Sequence, residues 1–242
     1  MKEERYFYVP DAANSSELPE QEAQHAIRVL RLVEGDDIWL MDGVGNFYKA
    51  EVGMTSKKRC FYKLLETLPQ QKTWSGNIQL AIAPTKMMER IEWMVEKATE
   101  IGFDRVSFVD CKFSERHVIR TDRIEKIVIS AMKQSRKPFK PIIDEMTPFN
   151  DFVTSCKADY KFIAHCYNDQ ERIDLFDQLH ALPKDATICV MVGPEGDFST
   201  DEVETALAHG FKPITLGNSR LRTETAGLMA VTMAQLAKKK LI

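Results

Sequence analysis

The pattern of hydrophobic and polar positions changes character near residue 70 of the chain. Before it, short runs of β-forming residues alternate with turns, and the runs 38–41 and 47–52 flank an Asp-Gly turn as the strands of a hairpin do. A further strand-like run covers residues 60–68, and one helical pattern covers residues 21–32. Short strands joined by tight turns are typical of a small barrel.

Beyond the polar, proline-marked segment 68–73, strand and helix patterns alternate. The predicted strands cover residues 78–83, 106–109, 161–166 and 188–192, and the predicted helices cover residues 86–101, 121–135 and 200–209. Such alternation builds a parallel sheet with helices on both faces. We therefore predict an α/β chain with one domain at residues 1–71 and a second at residues 74–242.

Helix-capping residues indicate where several of these helices begin or end. Gly102 is the predicted C-cap of the helix over 86–101, and Ser199 with Glu202 forms a capping box for the helix over 200–209. Thr223 is the predicted N-cap of the last helix.

The last helix is apolar on more than one side. One stripe contains Ala226, Met229, Ala230, Met233 and Ala237, and a second side contains Leu228, Val231 and Leu236. A helix with two apolar sides needs two partners. Deep burial in its own domain and a dimer contact both explain the pattern.

Two glycine-bearing loops, residues 193–199 and 216–226, each follow a strand-like run and open into a helix. We expect them at the carboxyl ends of adjacent strands, where α/β sheets form ligand crevices. In the second loop, Arg220 and Arg222 precede a helix start and suit an anionic group such as a carboxylate or a phosphate. A structural ion pair between Arg222 and a carboxylate is the alternative.

Composition and charge restrict the possible classes of protein. The chain has 242 residues, of which 44% are hydrophobic and 29% charged, as in an ordinary globular protein. No apolar run approaches the roughly 18–20 residues of a membrane span, and the N-terminus resembles no secretory signal, so we expect a cytoplasmic protein without a membrane partner. The five scattered cysteines argue against disulfides and structural zinc, and we predict no metal site.

The net charge of −3 does not by itself indicate a nucleic-acid partner. However, residues 112–140 hold nine Lys or Arg against three acids. This segment is either a phosphate-facing patch or a solvated helix face. No Walker A, HExxH or GxSxG motif is present, which removes the commonest phosphoryl-transfer, zinc-protease and serine-hydrolase classes.

Taken together, the motifs resemble a known family. The run Gly-Pro-Glu-Gly-Asp-Phe-Ser at 193–199, a helix, and Arg-Leu-Arg-Thr-Glu-Thr-Ala at 220–226 are similar to the SPOUT superfamily of S-adenosylmethionine-dependent RNA methyltransferases. The whole chain resembles the RsmE family of 16S ribosomal RNA (uracil-N3)-methyltransferases. The segments that carry the full-length resemblance are 5–7, 25–31, 35–36, 97–102, 114–116 and 134–135.

The resemblance implies a SPOUT α/β-knot, a trefoil-knotted domain with a mainly parallel sheet, preceded by a PUA-like β-barrel that binds RNA. It implies an enzyme that methylates N3 of a uridine in the 16S RNA of the small ribosomal subunit, with S-adenosylmethionine as methyl donor and no metal. It also implies a homodimer formed through the knot domain. The same fold with another target, in transfer RNA or 23S RNA, and a non-catalytic RNA-binding assembly factor are the alternatives.

The resemblance also implies roles for individual residues. Arg116 and Arg222 would support the developing imide anion, with Glu224 as orienting partner or base. The cofactor-binding residues would be His165, Val192, Gly193, Pro194, Glu195, Gly196, Leu216, Gly217, Ser219, Leu221, Arg222, Thr223 and Ala226. The RNA-binding residues would be Arg5, His25, Arg28, Arg31, Arg116 and Arg136. For His165, at the end of a strand, a structural role is the alternative to a cofactor contact.

Two positions depart from the family pattern. Asp197 stands where relatives usually have a second glycine after Gly196, and Ser219 stands where they more often have the first arginine of the second loop, with Arg220 one place later. If position 197 requires a positive φ, Asp tolerates it better than most residues, at some strain.

Overall fold

The computed structural model describes residues 4–167 and 171–240, and it divides the chain into two compact units. The first unit contains Met1–Lys72 with Ile129–Lys140, and the second contains Thr73–Val128 with Pro141–Ile242. The division falls beside the polar segment 68–73. The segment Ile129–Lys140 groups with the first unit, a long-range association for which the local sequence pattern carries no signal.

A four-stranded sheet forms the first unit. Its strands, in spatial order, are β1 (Tyr6–Tyr8), β2 (Asp37–Met41), β3 (Asn46–Thr55) and β4 (Cys60–Pro69). Strand β1 runs parallel to β2, whereas β2–β3 and β3–β4 are antiparallel. The predicted hairpin is thus confirmed. Its turn is held by the Asp42 carboxylate, which accepts hydrogen bonds from the backbone of Val44 and Asn46 at 2.8 and 3.0 Å.

The predicted helix of the first unit is also present. It consists of α1 (Glu20–Gln24), which continues into a π-helical turn at His25–Val29. Ala23 and Ala26 are buried in the core of this unit together with Phe7 and Leu40. One face of the sheet therefore packs against the helix, as the apolar spacing predicted.

The second unit is built on a sheet of seven parallel strands in the order β7-β6-β5-β10-β8-β11-β9. The strands are β5 (Asn77–Ile82), β6 (Arg105–Asp110), β7 (Ile142–Pro148), β8 (Tyr160–Ala164), β9 (Ile173–Asp174), β10 (Thr187–Val192) and β11 (Phe211–Thr215). Because all pairs are parallel, all carboxyl ends lie at one edge of the sheet. The predicted α/β architecture with a small β domain before it is confirmed, and a trefoil knot stays a prediction of the resemblance.

The adjacency that we expected of the two glycine loops is wrong. They follow β10 and β11, and β8 lies between these two strands. Chain order could not show this, because β8 precedes both strands in sequence and pairs with each of them. As a result, the end of β8 separates the two loops at the sheet edge.

Among the residues that the structure describes, six helices lie between or after the strands of the parallel sheet in the chain. They are α2 (Met88–Ile101), α3 (Thr121–Ser135), α4 (Phe149–Ser155), α5 (Leu175–His180), α6 (Thr200–Ala208) and α7 (Thr223–Lys238). Gly102 caps α2 with a φ of 113°, and Ser199 and Glu202 form the predicted capping box. The predicted N-cap of α7 is wrong by one residue. Arg222 occupies that position, because the Thr223 hydroxyl donates instead to the Gly193 carbonyl.

Helix α7 packs through small residues. Ala226, Ala230 and Ala234 are buried, and a Cβ added at Gly227 would lie 2.9 Å from Ile82 Cδ1, so the Ile82 side chain would have to shift to admit a larger residue. Met229 and Leu236, by contrast, are 37% and 50% exposed. Burial in its own unit therefore covers the alanines of the first stripe and Val231 of the second side, and leaves Met229 and Leu236 at the surface. In the described part of the chain, no helix is long and apolar enough to cross a membrane.

Candidate active site

A crevice of about 510 Å³ opens at the carboxyl edge of the parallel sheet. Its walls come from the ends of β8, β10 and β11, from the loops that follow them, and from the first turn of α7. Its volume falls within the range of about 300–1,000 Å³ that is common for small-molecule sites. The edge is the place at which parallel α/β sheets bind ligands.

The crevice combines apolar walls with charged groups. The apolar side chains are Ala164, Val192, Ile214, Leu216, Leu221 and Ala226. The charged side chains are Arg90, Arg172, Arg220 and Arg222, with Glu195 and Asp197 as the carboxylates. A flat apolar ring and a charged group can therefore be held in the same crevice.

The structure brings together nearly all of the predicted cofactor-binding residues. All of them line the crevice except Gly196, which lines an adjoining recess with Arg172 and Arg220. Sequence reasoning missed the contributions of Arg90 and Arg172 to the crevice. Arg90 could have been found because it lies in the first turn of the helix that follows β5, at the same edge of the sheet.

Gly193 joins the first loop to the start of α7. A Cβ at this position would lie 3.1 Å from two atoms of the buried Phe198 ring, so a larger residue would push the loop away from its core. The Thr223 hydroxyl donates a hydrogen bond of 3.1 Å to the Gly193 carbonyl. This bond connects the first residue after β10 to the first residue of α7.

Asp197 has a φ of 65°, in the left-handed region that favours glycine. Its carboxylate accepts hydrogen bonds of 2.8 Å from the backbone N–H of Cys166 and of 2.8 Å from that of Phe198. The residue thus connects the first loop to the segment after β8. Position 197 thus does require a positive φ, and the two hydrogen bonds stabilise Asp197 in that conformation.

His165, the first residue after β8, is buried, with 3% of its surface exposed. Its Nδ1 accepts a hydrogen bond of 3.3 Å from the Tyr167 backbone N–H, so the neutral ring carries its proton on Nε2. Arg172 donates to the His165 carbonyl at 2.7 Å. Desolvation, together with the Asp197 carboxylate, raises the pKa of the neighbouring Cys166 thiol, which therefore stays protonated at neutral pH.

Glu224 lies in the first turn of α7, and its side chain is only 10% exposed. Its Oε1 lies 3.8 Å from Arg90 Nε, and its buried Oε2 has no hydrogen-bond partner among the residues that the structure describes. Arg222 is exposed at the crevice, and the carboxylate closest to it in sequence pairs with Arg90 instead. Arg222 is thus available to a ligand.

Arg116 does not line the crevice but contacts the loop after β5. Its guanidinium donates to the Thr85 carbonyl at 3.2 Å and to the Lys86 carbonyl at 2.7 Å. The Lys86 N–H in turn donates to Glu195 Oε1 at 3.0 Å. Arg116 is therefore connected to the crevice residue Glu195 through Lys86.

The other predicted RNA-binding residues all belong to the first unit. His25, Arg28 and Arg31 are exposed, and Arg5 is partly exposed. The Arg136 guanidinium lies 5.4 Å from the centre of the Tyr6 ring and 3.0 Å from a carboxylate oxygen of Glu4.

Family models identify both parts of the chain. A model described as "RNA methyltransferase domain" matches residues 72–235, and one described as "RNA methyltransferase PUA domain" matches residues 18–65. The chain belongs to the RNA methyltransferase family. A relative from Aquifex aeolicus, named ribosomal RNA small subunit methyltransferase E, is 30% identical to this RNA methyltransferase over 89% of its length and 92% of the relative's.

Comparison with solved structures supports the same family assignment. A probable rRNA-methyltransferase from Porphyromonas gingivalis superimposes with a TM-score of 0.89 at 42% identity, covering 97% of this RNA methyltransferase and 98% of that chain. A ribosomal RNA small subunit methyltransferase E from Neisseria gonorrhoeae, bound to S-adenosyl methionine, has a TM-score of 0.85 at 27% identity, covering 97% and 98% of the two chains.

Proposed function

We propose that this RNA methyltransferase transfers the methyl group of S-adenosylmethionine to N3 of a uridine in the 16S RNA of the small ribosomal subunit. The observation that carries the proposal is the crevice, because the loops 193–199 and 216–226 line a single pocket. The relative from Aquifex aeolicus is named a ribosomal RNA small subunit methyltransferase. The structure that was solved with S-adenosyl methionine shares the fold over nearly the whole chain.

The residues of the crevice fit this cofactor. The apolar side chains of Leu216, Leu221 and Ala226 suit the adenine ring, and the backbone of Gly193 and Gly217 can approach a ligand without a side chain in the way. When bound, the cofactor supplies an activated methyl group. Much of the rate acceleration can then come from positioning the acceptor.

The acceptor nitrogen must lose a proton, and its charge must be stabilised. Arg222, exposed at the crevice, would stabilise the negative charge that develops on the uracil imide. Glu224 would orient the acceptor or accept its proton, since its buried Oε2 has no hydrogen-bond partner among the described residues and its Oε1 forms an ion pair of 3.8 Å with Arg90. For Arg116 we propose a contact with the RNA.

The RNA would be held through phosphates and presented as an unpaired base. Base pairing occupies N3 of uridine, so the target must be unpaired or extruded from its stack. Four arginines and one histidine of the first unit would bind the RNA backbone. They are Arg5, His25, Arg28, Arg31 and Arg136.

We further propose that two copies associate through the parallel-sheet unit. The exposed apolar side chains of Met229 and Leu236 on α7 support this assembly, because the other side of the helix is already buried. With this substrate, the protein would act in the cytoplasm, where small subunits assemble.

A transfer assay with labelled S-adenosylmethionine tests the proposed function. We expect calorimetry to show one cofactor site per chain, and label to enter 16S RNA in small subunits from cells that lack their own methyltransferase. Naked 16S RNA and transfer RNA form the comparison arms. Label confined to transfer RNA would assign another target, and cofactor binding that is absent at millimolar concentration would favour a non-catalytic assembly factor.

A further inference from the structure

Phe113 lies at the tip of a tight turn after β6, and 45% of its surface is exposed. The turn is closed by a hydrogen bond of 3.0 Å from the Ser114 N–H to the Cys111 carbonyl, and the Ser114 hydroxyl accepts another of 3.0 Å from the Cys111 N–H. The Lys112 N–H donates to Glu202 Oε1 at 2.7 Å. Three hydrogen bonds thus fix the backbone that presents this aromatic ring.

The turn packs against the first loop of the crevice. A Cβ added at Gly196 would lie 2.9 Å from Phe113 Cβ, so the two backbones approach as closely as a glycine allows. Gly196 separates the crevice residues Glu195 and Asp197. Phe113 therefore lies directly beside the loop that borders the crevice, on the side of β5 and β6.

Positively charged side chains lie close to Phe113, as a nucleic-acid ligand would require. The Lys112 ammonium lies 5.8 Å from the centre of the Phe113 ring and 3.6 Å from Asp201 Oδ2. Arg116, three residues later, is anchored to the loop after β5. Cations beside an exposed ring suit a phosphate chain with a base stacked on the ring.

We propose that Phe113 is a stacking platform for the base that is methylated, or for its immediate neighbour, as single-stranded RNA enters the crevice. This inference rests on the proposed function, which supplies the RNA substrate and the need for an unpaired base. It adds a residue that the sequence motifs do not identify. A single exposed aromatic residue is ordinary on a protein surface. Here the fixed turn and the contact with Gly196 place the ring next to the cofactor loop.

The test compares Phe113→Ala, Phe113→Leu and Phe113→Tyr in the full-length protein. We expect kcat/KM for small subunits to fall about tenfold with Ala and with Leu, and to stay within roughly threefold with Tyr, because stacking needs a π face. Cofactor affinity, measured by calorimetry, should stay within about twofold in all three variants, which also verifies that they fold. Val118→Ala, which truncates a 71% exposed residue of the same segment, is the matched control.

The outcomes separate this inference from the proposed function. An active wild type with a fully active Phe113→Ala variant would overturn the inference alone, and so would a Leu variant as active as the Tyr variant. A change in oligomeric state of Phe113→Ala, measured by light scattering, would instead assign the ring to a contact between copies. A wild type that transfers no methyl group to 16S RNA would overturn the proposed function and this inference with it.

Discussion

Asp197 illustrates how a single residue can depart from a family pattern and still keep its geometry. The backbone adopts the positive φ that glycine would adopt without strain, and the carboxylate adds two hydrogen bonds that glycine cannot make. A non-glycine residue in this region costs on the order of 1–3 kcal/mol, and a hydrogen bond to a charged group returns about 1.5–3 kcal/mol. Compared with glycine, Asp197 therefore has a more strained backbone but connects the first loop to the segment after β8.

The connection predicts different behaviour for three variants of this residue. Asp197→Ala keeps the strain and loses both bonds, so we expect it to unfold about 2 kcal/mol more easily and to bind the cofactor more weakly. Asp197→Gly should keep its stability but lose affinity, since the segment after β8 is released. Asp197→Asn should be the mildest change. Urea unfolding and calorimetry measure both quantities, and an Ala variant with unchanged affinity would contradict the connection.

At the scale of elements, the loops after β5, β6 and β10 form one connected group. The Arg116 guanidinium holds the loop after β5, and the Lys86 N–H of that loop holds Glu195 in the crevice. No local periodicity predicts such bonds, because their partners are 30 and 109 residues apart in sequence.

Arg116→Ala tests the role that we propose for this arginine. We expect methyl transfer to fall about 10- to 100-fold through weaker RNA binding, since a hydrogen bond to a charged group is worth about 1.5–3 kcal/mol, while cofactor affinity stays within roughly threefold. Arg120→Ala, an exposed arginine of the same segment that pairs with Asp122, is the control. If transfer and cofactor affinity fell together, Arg116 would act by positioning Glu195 and not on the RNA.

The sequence predicts where the helices and strands lie better than it predicts which strands pair with one another. Hydrophobic period and caps located most of the helices and strands, including α3 at its observed limits, because those signals are local. The order of β10, β8 and β11 in the sheet was not predictable from the sequence, since a short apolar run indicates a strand but not the strands with which it pairs. The motifs located the crevice, whereas Arg172 and Phe113 could be identified only once the fold had brought distant loops to one edge.

At the scale of the whole molecule, binding of cofactor and binding of RNA are assigned to different parts of the chain. The crevice belongs to the second unit, and five of the six proposed RNA-binding residues belong to the first. The two activities should therefore be separable by mutation. Changes in the cations of the first unit should alter affinity for RNA and leave the cofactor site intact.

Arg28→Ala tests this separation. We expect weaker binding to small-subunit RNA at every salt concentration, with the slope of log K against log salt reduced by about 1, because one phosphate contact is lost. Cofactor affinity should not change. Lys57→Ala, which removes an exposed cation from the turn between β3 and β4, should leave the slope unaltered. Equal effects of both variants, seen in filter binding, would mean that RNA binding depends on total charge alone.

The central claim is methyl transfer to N3 of a uridine in 16S RNA, and nucleoside mass spectrometry tests it most directly. Small subunits that lack the modification are incubated with the protein and with S-adenosylmethionine that carries a deuterated methyl group, and the RNA is then digested to nucleosides. The account predicts 3-methyluridine bearing the deuterated methyl group, at no more than one residue per subunit. Label in a ribose-methylated nucleoside, or in no nucleoside of 16S RNA, would contradict it.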